Sequence, residues 1–232
     1  MEDYKFGTSL AFEEVLKDKE KYVEIFSEGN RQLKELLLLC FDNGIETNLC
    51  CAGHGEDEIG YIKFNASKNK KSHINALINL VSSIPNVSLE LSKHHTDDYV
   101  SLWIKTYRPD IYEILYEILN YAIHNKKNGL EISSDIKTML KILENFKRKN
   151  YSLIFVTNNI KGVNRHSILI YYQIIKGEDN YIRRYILSSN IDNYDLENIK
   201  EEQLRMKLSY KINKAILTDQ AKVLFKSRFK HV

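Results

Sequence analysis

Cys50-Cys51-Ala52-Gly53-His54 puts two thiols and an imidazole within five residues. Cysteine and histidine are soft-metal ligands, so Cys50, Cys51 and His54 could supply part of a zinc site. A thiol beside a base could also serve as a nucleophile. Both chemistries meet a geometric objection. Successive residues of a strand point to opposite faces, so adjacent cysteines rarely reach one ion. Structural zinc takes four ligands, and no second CxxC or CxxH string is present. The expectation is therefore a structural turn, with one cysteine in the core, no metal and no cofactor.

His73, His94, His95 and His124 form a second set, with Asp97 and Asp98 in the same turn as the histidine pair. A β-helix-β crossover runs its strands parallel, which sends successive hairpins to opposite ends of a sheet. The His54 turn and the His94-His95 turn are thus expected at different ends. No ligand spacing in this set is diagnostic of a metal, so unrelated histidines are expected.

Phosphate chemistry is the stronger signal. Residues 1–125 carry 13 basic and 20 acidic side chains, a net −7, whereas residues 126–232 carry 21 and 11, a net +10. Lys147, Arg148, Lys149, Arg183, Arg184, Arg205, Lys207, Lys211, Lys214, Lys222, Lys226, Arg228 and Lys230 make up the basic set. Tyr171, Tyr172, Tyr181, Tyr185, Tyr210, Phe225 and Phe229 lie among them. Cations neutralise phosphates and exposed aromatics stack on unpaired bases. Lys222, Lys226 and Lys230 recur every four residues, which keeps them close to one face of a helix. The alternative use of such asymmetry is attraction between the two halves or between copies, which would give a homo-oligomer.

Enzyme signatures are missing: there is no Walker A string, GxGxxG, HExxH or GxSxG. Glu56-Asp57-Glu58 reads as a solvated turn. No apolar run approaches the ~18 residues of a membrane span, and Met1-Glu2-Asp3-Tyr4-Lys5 lacks a signal-peptide pattern. Three cysteines make no disulfide framework, which points to a reducing cytoplasm.

The elements that must position these residues follow from periodicity. A helix is expected over 11–26. A second, capped by Asn30 and ended by Gly44, carries Leu33, Leu36, Leu37, Cys40 and Phe41 on one face. Strands over 45–51 and 59–65, a helix over 72–84, strands over 87–91 and 99–107 and a helix ending at His124 complete an α-β-β-α-β-β-α unit. This predicts an α+β fold in which a ββα unit is used twice and the helices pack on a four-stranded sheet. Residues 125–129 are the linker candidate, dividing an acidic domain (1–125) from a basic one (126–232). In the second domain we expect a helix over 134–149, strands over 151–157, 167–176 and 181–188, and a turn at 177–180. A helix over 195–208, a short strand over 210–217 and a helix capped by Thr218-Asp219 would follow. The result is a smaller region with a three- to four-stranded antiparallel sheet.

Leu36 to Gly44 reads LLLLCFDNG, and this string together with the α-β-β-α-β-β-α order resembles the LAGLIDADG homing-endonuclease core. The resemblance implies a sheet that saddles DNA. It also places the family's acidic position on Asn43 and replaces the small helix-contact residues by leucine, so no catalytic residue is carried across. Asn43 to His54 with Gly60 to Phe64 is similar to segments of proteins from low-GC bacteria and their phages.

The function expected from these residues is non-catalytic binding of RNA or DNA, RNA slightly favoured, by the basic half. A phage-associated protein that inhibits a host-defence nucleoprotein by binding it, and a Cys/His-dependent enzyme or LAGLIDADG-like DNA-binding protein, are the alternatives. No membrane partner is expected.

Overall fold

In the computed structural model the described residues are 12–53, 59–94, 97–108, 110–125, 131–148, 150–160, 163–175, 181–191 and 200–228. For 173–175, 181–186, 201 and 221–228 the description is of backbone alone. The elements run α1 (Phe12–Lys17), α2 (Lys19–Ser27), α3 (Arg31–Asp42), β1 (Thr47–Cys51), β2 (Gly60–Asn65), α4 (Lys71–Val81), β3 (Val87–Lys93), β4 (Ser101–Thr106) and α5 (Ile111–His124). They continue with α6 (Ser134–Asn145), β5 (Tyr151–Ile160), β6 (Val163–Ile175), β7 (Tyr181–Asn190) and α7 (Glu201–Arg228). The fold is mixed α+β, with seven helices among the described residues and a seven-stranded antiparallel sheet in the order β1-β2-β4-β3-β5-β6-β7. This corrects the expectation of a four-stranded sheet and a separate smaller one. Strand pairing is set by non-local register, which the local sequence does not reveal.

By contact density the chain divides into two compact units. The first takes residues 1–90, 99–132 and 157–164; the second takes 91–98, 133–156 and 165–232.

In the first unit, α3 starts where the Asn30 side chain accepts a hydrogen bond from the Leu33 amide at 2.9 Å. It ends at Gly44, whose φ of +64° is left-handed backbone that glycine adopts without penalty. Leu33, Leu36, Leu37 and Cys40 on its inner face are completely buried. Helix α5 packs against both α3 and α4. Ile62 and Phe64 on β2, and Leu102 and Ile104 on β4, supply the sheet side of the core. These two strands pair antiparallel, with Ile62 opposite Ile104 and Lys63 opposite Trp103. The expected first helix is two helices, because Asp18 between them has non-helical backbone (φ −144°, ψ 59°).

Gly60 has a packing reason. A Cβ there would lie 2.8 Å from the Tyr112 hydroxyl and 3.3 Å from the Ala52 carbonyl oxygen. That hydroxyl donates to the Cys51 carbonyl.

In the second unit α6 buries Ile136, Met139, Ile142 and Leu143, and packs against α7. Helix α6 ends at Asn145, short of the expected 149, because Phe146 is extended (φ −77°, ψ 108°). Strands β6 and β7 pair from Ser167↔Asn190 to Ile175↔Tyr181, with a bulge between Ile170 and Tyr171. The expected 177–180 turn lies outside the described residues. Helix α7 is one continuous element of 28 residues and corrects the expected helix-strand-helix. Leu204, Leu208, Ile212 and Ile216 are its buried stripe, every fourth residue, and no glycine or proline interrupts it. Thr218 is inside the helix rather than capping one, its hydroxyl donating to the Lys214 carbonyl at 2.8 Å.

Candidate nucleic-acid interface

Of the Cys/His string, Cys50 and Cys51 end β1 in the first unit. The Cys50 thiol donates to the Phe26 carbonyl at 3.5 Å. Burial pushes that thiol up to about 12, and the nearby charges of Glu28 and Cys51 add to the effect. A thiol held protonated at neutral pH is a poor nucleophile. Cys40 is fully buried and raised for the same reason. Cys50 and Cys51 are opposite Ile62 and Tyr61 in the β1–β2 register, so they occupy successive positions of the ladder. His54 lies outside the described residues.

The other histidines have separate environments. His73 is buried near the start of α4, and burial lowers its pKa, with Lys70 contributing. His124, at the end of α5, bonds the Asn120 carbonyl through Nδ1 at 2.8 Å. His94 meets the Tyr171 hydroxyl at 2.6 Å through Nδ1. His95 is outside the described residues. Asn43 caps α3, its amide donating to the Leu39 carbonyl at 2.9 Å, and presents no carboxylate there.

Between the carboxy-terminal end of α6 and the middle of α7 the second unit has a groove of about 600 Å³. Lys141, Lys147, Arg148 and Arg205 line it, with Asn145, Ser209 and Asn213 as polar neighbours and Met206, Ile142, Ile212 and Phe146 as apolar ones. No carboxylate is among these lining residues. Arg148 is braced by Asn213 Oδ1 at 3.0 Å, and Arg205 reaches Glu202 outside the lining at 3.3 Å. The buried stripe of α7 fixes which of its residues face the groove. Arg205 and Ser209 follow Leu204 and Leu208 directly, so they sit at the edge of the buried stripe. Among the described residues this lining holds four cations and no carboxylate, with Glu202 paired to Arg205 just outside it, a balance that suits a polyanion.

The structure gathers Arg148 and Arg205 from the basic set into this groove, together with Lys147. Lys207 and Lys214 are exposed on α7, and Lys214 lies 6.0 Å from the Tyr210 ring centre. Lys211 is half-buried and donates to Ser189 Oγ at 2.7 Å. Arg183 and Arg184 are opposite Gln173 and Tyr172 in the β6–β7 register, on successive positions and hence on opposite faces of the strand. Lys222, Lys226 and Arg228 belong to α7, described there by backbone alone. Lys149 and Lys230 lie outside the described residues.

Two features escaped sequence reasoning. Lys141 is one turn before Asn145 on α6 and enters the groove only because that helix stops where it does. The second is a pair between half-buried Asp135 and buried His166, with Oδ2 and Nε2 2.9 Å apart. Burial disfavours the charged form of Asp135, but hydrogen bonds from His166 and Ser133 and the charge of His166 outweigh it, leaving the carboxyl at about 2. Ser133-Ser134-Asp135 is a recognisable helix-start string; its histidine partner on β6 has no local signal.

No family model, curated protein or solved structure matches the chain. Fold and site together define an α+β protein whose second unit carries a basic groove. Among the described residues no helix is long and apolar enough to cross a membrane.

Proposed function

We propose that this chain is a non-catalytic nucleic-acid-binding protein, with RNA ahead of DNA as the ligand, acting through its basic carboxy-terminal half. The observation that carries the reading is the α6–α7 groove, whose lining among the described residues includes Lys141, Lys147, Arg148 and Arg205 and no carboxylate. Lys207, Lys214, Lys222, Lys226, Arg228, Lys230 and one of Arg183 and Arg184, which occupy opposite faces of β7, would extend the surface, and Lys211 would contribute less because it already bonds Ser189. In this reading the acidic domain (1–125) and the basic domain (126–232) divide the labour, the first being a ββα unit used twice. No disulfide joins Cys40, Cys50 and Cys51, which supports the cytoplasm as its compartment.

The test is fluorescence anisotropy with labelled RNA and DNA across a salt series. Four phosphate contacts predict a log–log slope of about −3 for a single strand. Reversing Arg148 and Arg205 to Glu should weaken every sequence alike, because phosphate contacts carry no sequence information directly. Absence of binding to any nucleic acid at low salt would end this reading. The basic half would then belong to a protein partner, as a nucleoprotein inhibitor requires.

A further inference from the structure

We infer that the nucleic acid held at this groove is single-stranded, with the Tyr210 ring stacked on an unpaired base; the inference rests on the reading just proposed. Tyr210 is 68% exposed, Met206 65% and Leu217 62%. Positions 206 and 210 are one turn apart on α7, and Leu217 follows on the same face beyond Asn213, so three large apolar side chains are open to water along one side of the helix. Scattered exposed apolar residues are ordinary, but this stripe is flanked by cations. Lys207 is exposed alongside it, and the Lys214 ammonium stands 6.0 Å from the Tyr210 ring centre.

The stripe also touches the groove. Met206 and Asn213 line the groove, and Tyr210 is four residues after the first and three before the second. Such spacing makes all three neighbours on a helix surface, placing Tyr210 on the groove's rim. Phosphates in the groove would therefore have bases within reach of the ring. A duplex keeps its bases paired and stacked inside, offering a helix flank only its backbone. A single strand exposes the flat faces of its bases, and stacking on an aromatic is tolerant of base identity.

The experiment titrates the full chain with oligouridylate, with oligothymidylate and with duplex RNA, each about 16 nucleotides long, matching the upper site size of single-strand binders. Tyr210→Ala should weaken single-strand binding roughly five- to a hundred-fold while changing duplex binding less than about two-fold. Tyr210→Phe should retain binding, since the ring and not the hydroxyl stacks. The salt slope should not move with either variant, because neither removes a charge. Loss confined to oligouridylate assigns RNA, and loss confined to oligothymidylate assigns DNA. Equal loss on duplex and single strand, or no loss from Tyr210→Ala, overturns the inference. Should the native chain bind duplex and neither single strand, the inference falls and the proposed function stands. Should it bind none of the three, the proposed function falls first.

Discussion

In the first unit Lys63 and Lys105 lie across Trp103, each ammonium about 5 Å from the indole centre (5.2 and 5.1 Å), and Lys105 ends on Glu90 at 2.8 Å. Lys63 also sits 5.2 Å from the Tyr99 ring and is only 6% exposed. In the second unit Lys141, Lys147, Arg148 and Arg205 converge on an open groove without a carboxylate in its lining. The same residue types thus serve packing in one unit and line a surface in the other. Net charge alone does not separate the two uses; the neighbours of each ammonium do. Cations over aromatic faces contribute to folding, while cations that line an open groove, even when braced as Arg148 is by Asn213, keep a side turned to solvent.

Four variants would break or sharpen this contrast. Leu208→Ala, in the buried stripe that orients α7, should cost about 2–5 kcal/mol in urea denaturation and weaken RNA binding only through unfolding. Lys63→Glu should cost roughly 3 kcal/mol, since it replaces a buried cation over two rings by an unpaired anion, and should leave RNA affinity of the folded fraction unchanged. If it instead abolishes binding with the fold intact, the contrast between units is wrong.

Asp135→Asn should cost about 2 kcal/mol near neutral pH, from the depression of its pKa to about 2. A carboxyl depressed in the folded state stabilises above its unfolded value. That contribution is complete above about pH 4 and disappears as pH falls through about 2. Acid unfolding of the native chain should therefore be steepest in this window, and the Asn variant should be flatter there. Arg148→Ala with Arg205→Ala should change stability by less than about 0.5 kcal/mol, because both side chains line an open groove. The same pair should reduce the magnitude of the single-strand salt slope by about 1.4.

Local signals made much of the first unit legible. Asn30 and Gly44 bracket α3 as caps do, and its leucines carry a firm period. The strand expected over 210–217 is part of α7; Tyr210 to Leu217 is too short an apolar window to separate a strand from a helix. The longer run of Leu204, Leu208, Ile212 and Ile216 settles it. The site was half-legible: Lys147, Arg148 and Arg205 announce themselves as charge, whereas their convergence with Lys141 depends on how α6 meets α7. Lys63 is buried opposite Trp103, a pairing that no local pattern announces. Register and helix packing are long-range facts, and no local pattern encodes them.

Gly60 and Tyr112 have a consequence for how this sequence can drift. A methyl at position 60 would collide with the Tyr112 hydroxyl that bonds the Cys51 carbonyl. Alanine at 60 is thus costly while the phenol remains, and removing the hydroxyl by Tyr112→Phe clears the nearest obstacle. The two positions should show epistasis of permissive kind: Tyr112→Phe first, mildly harmful alone, then Gly60→Ala at reduced cost. The reverse order should pass through the worse intermediate. Relatives of this chain that lack glycine at the aligned position should also lack the tyrosine hydroxyl.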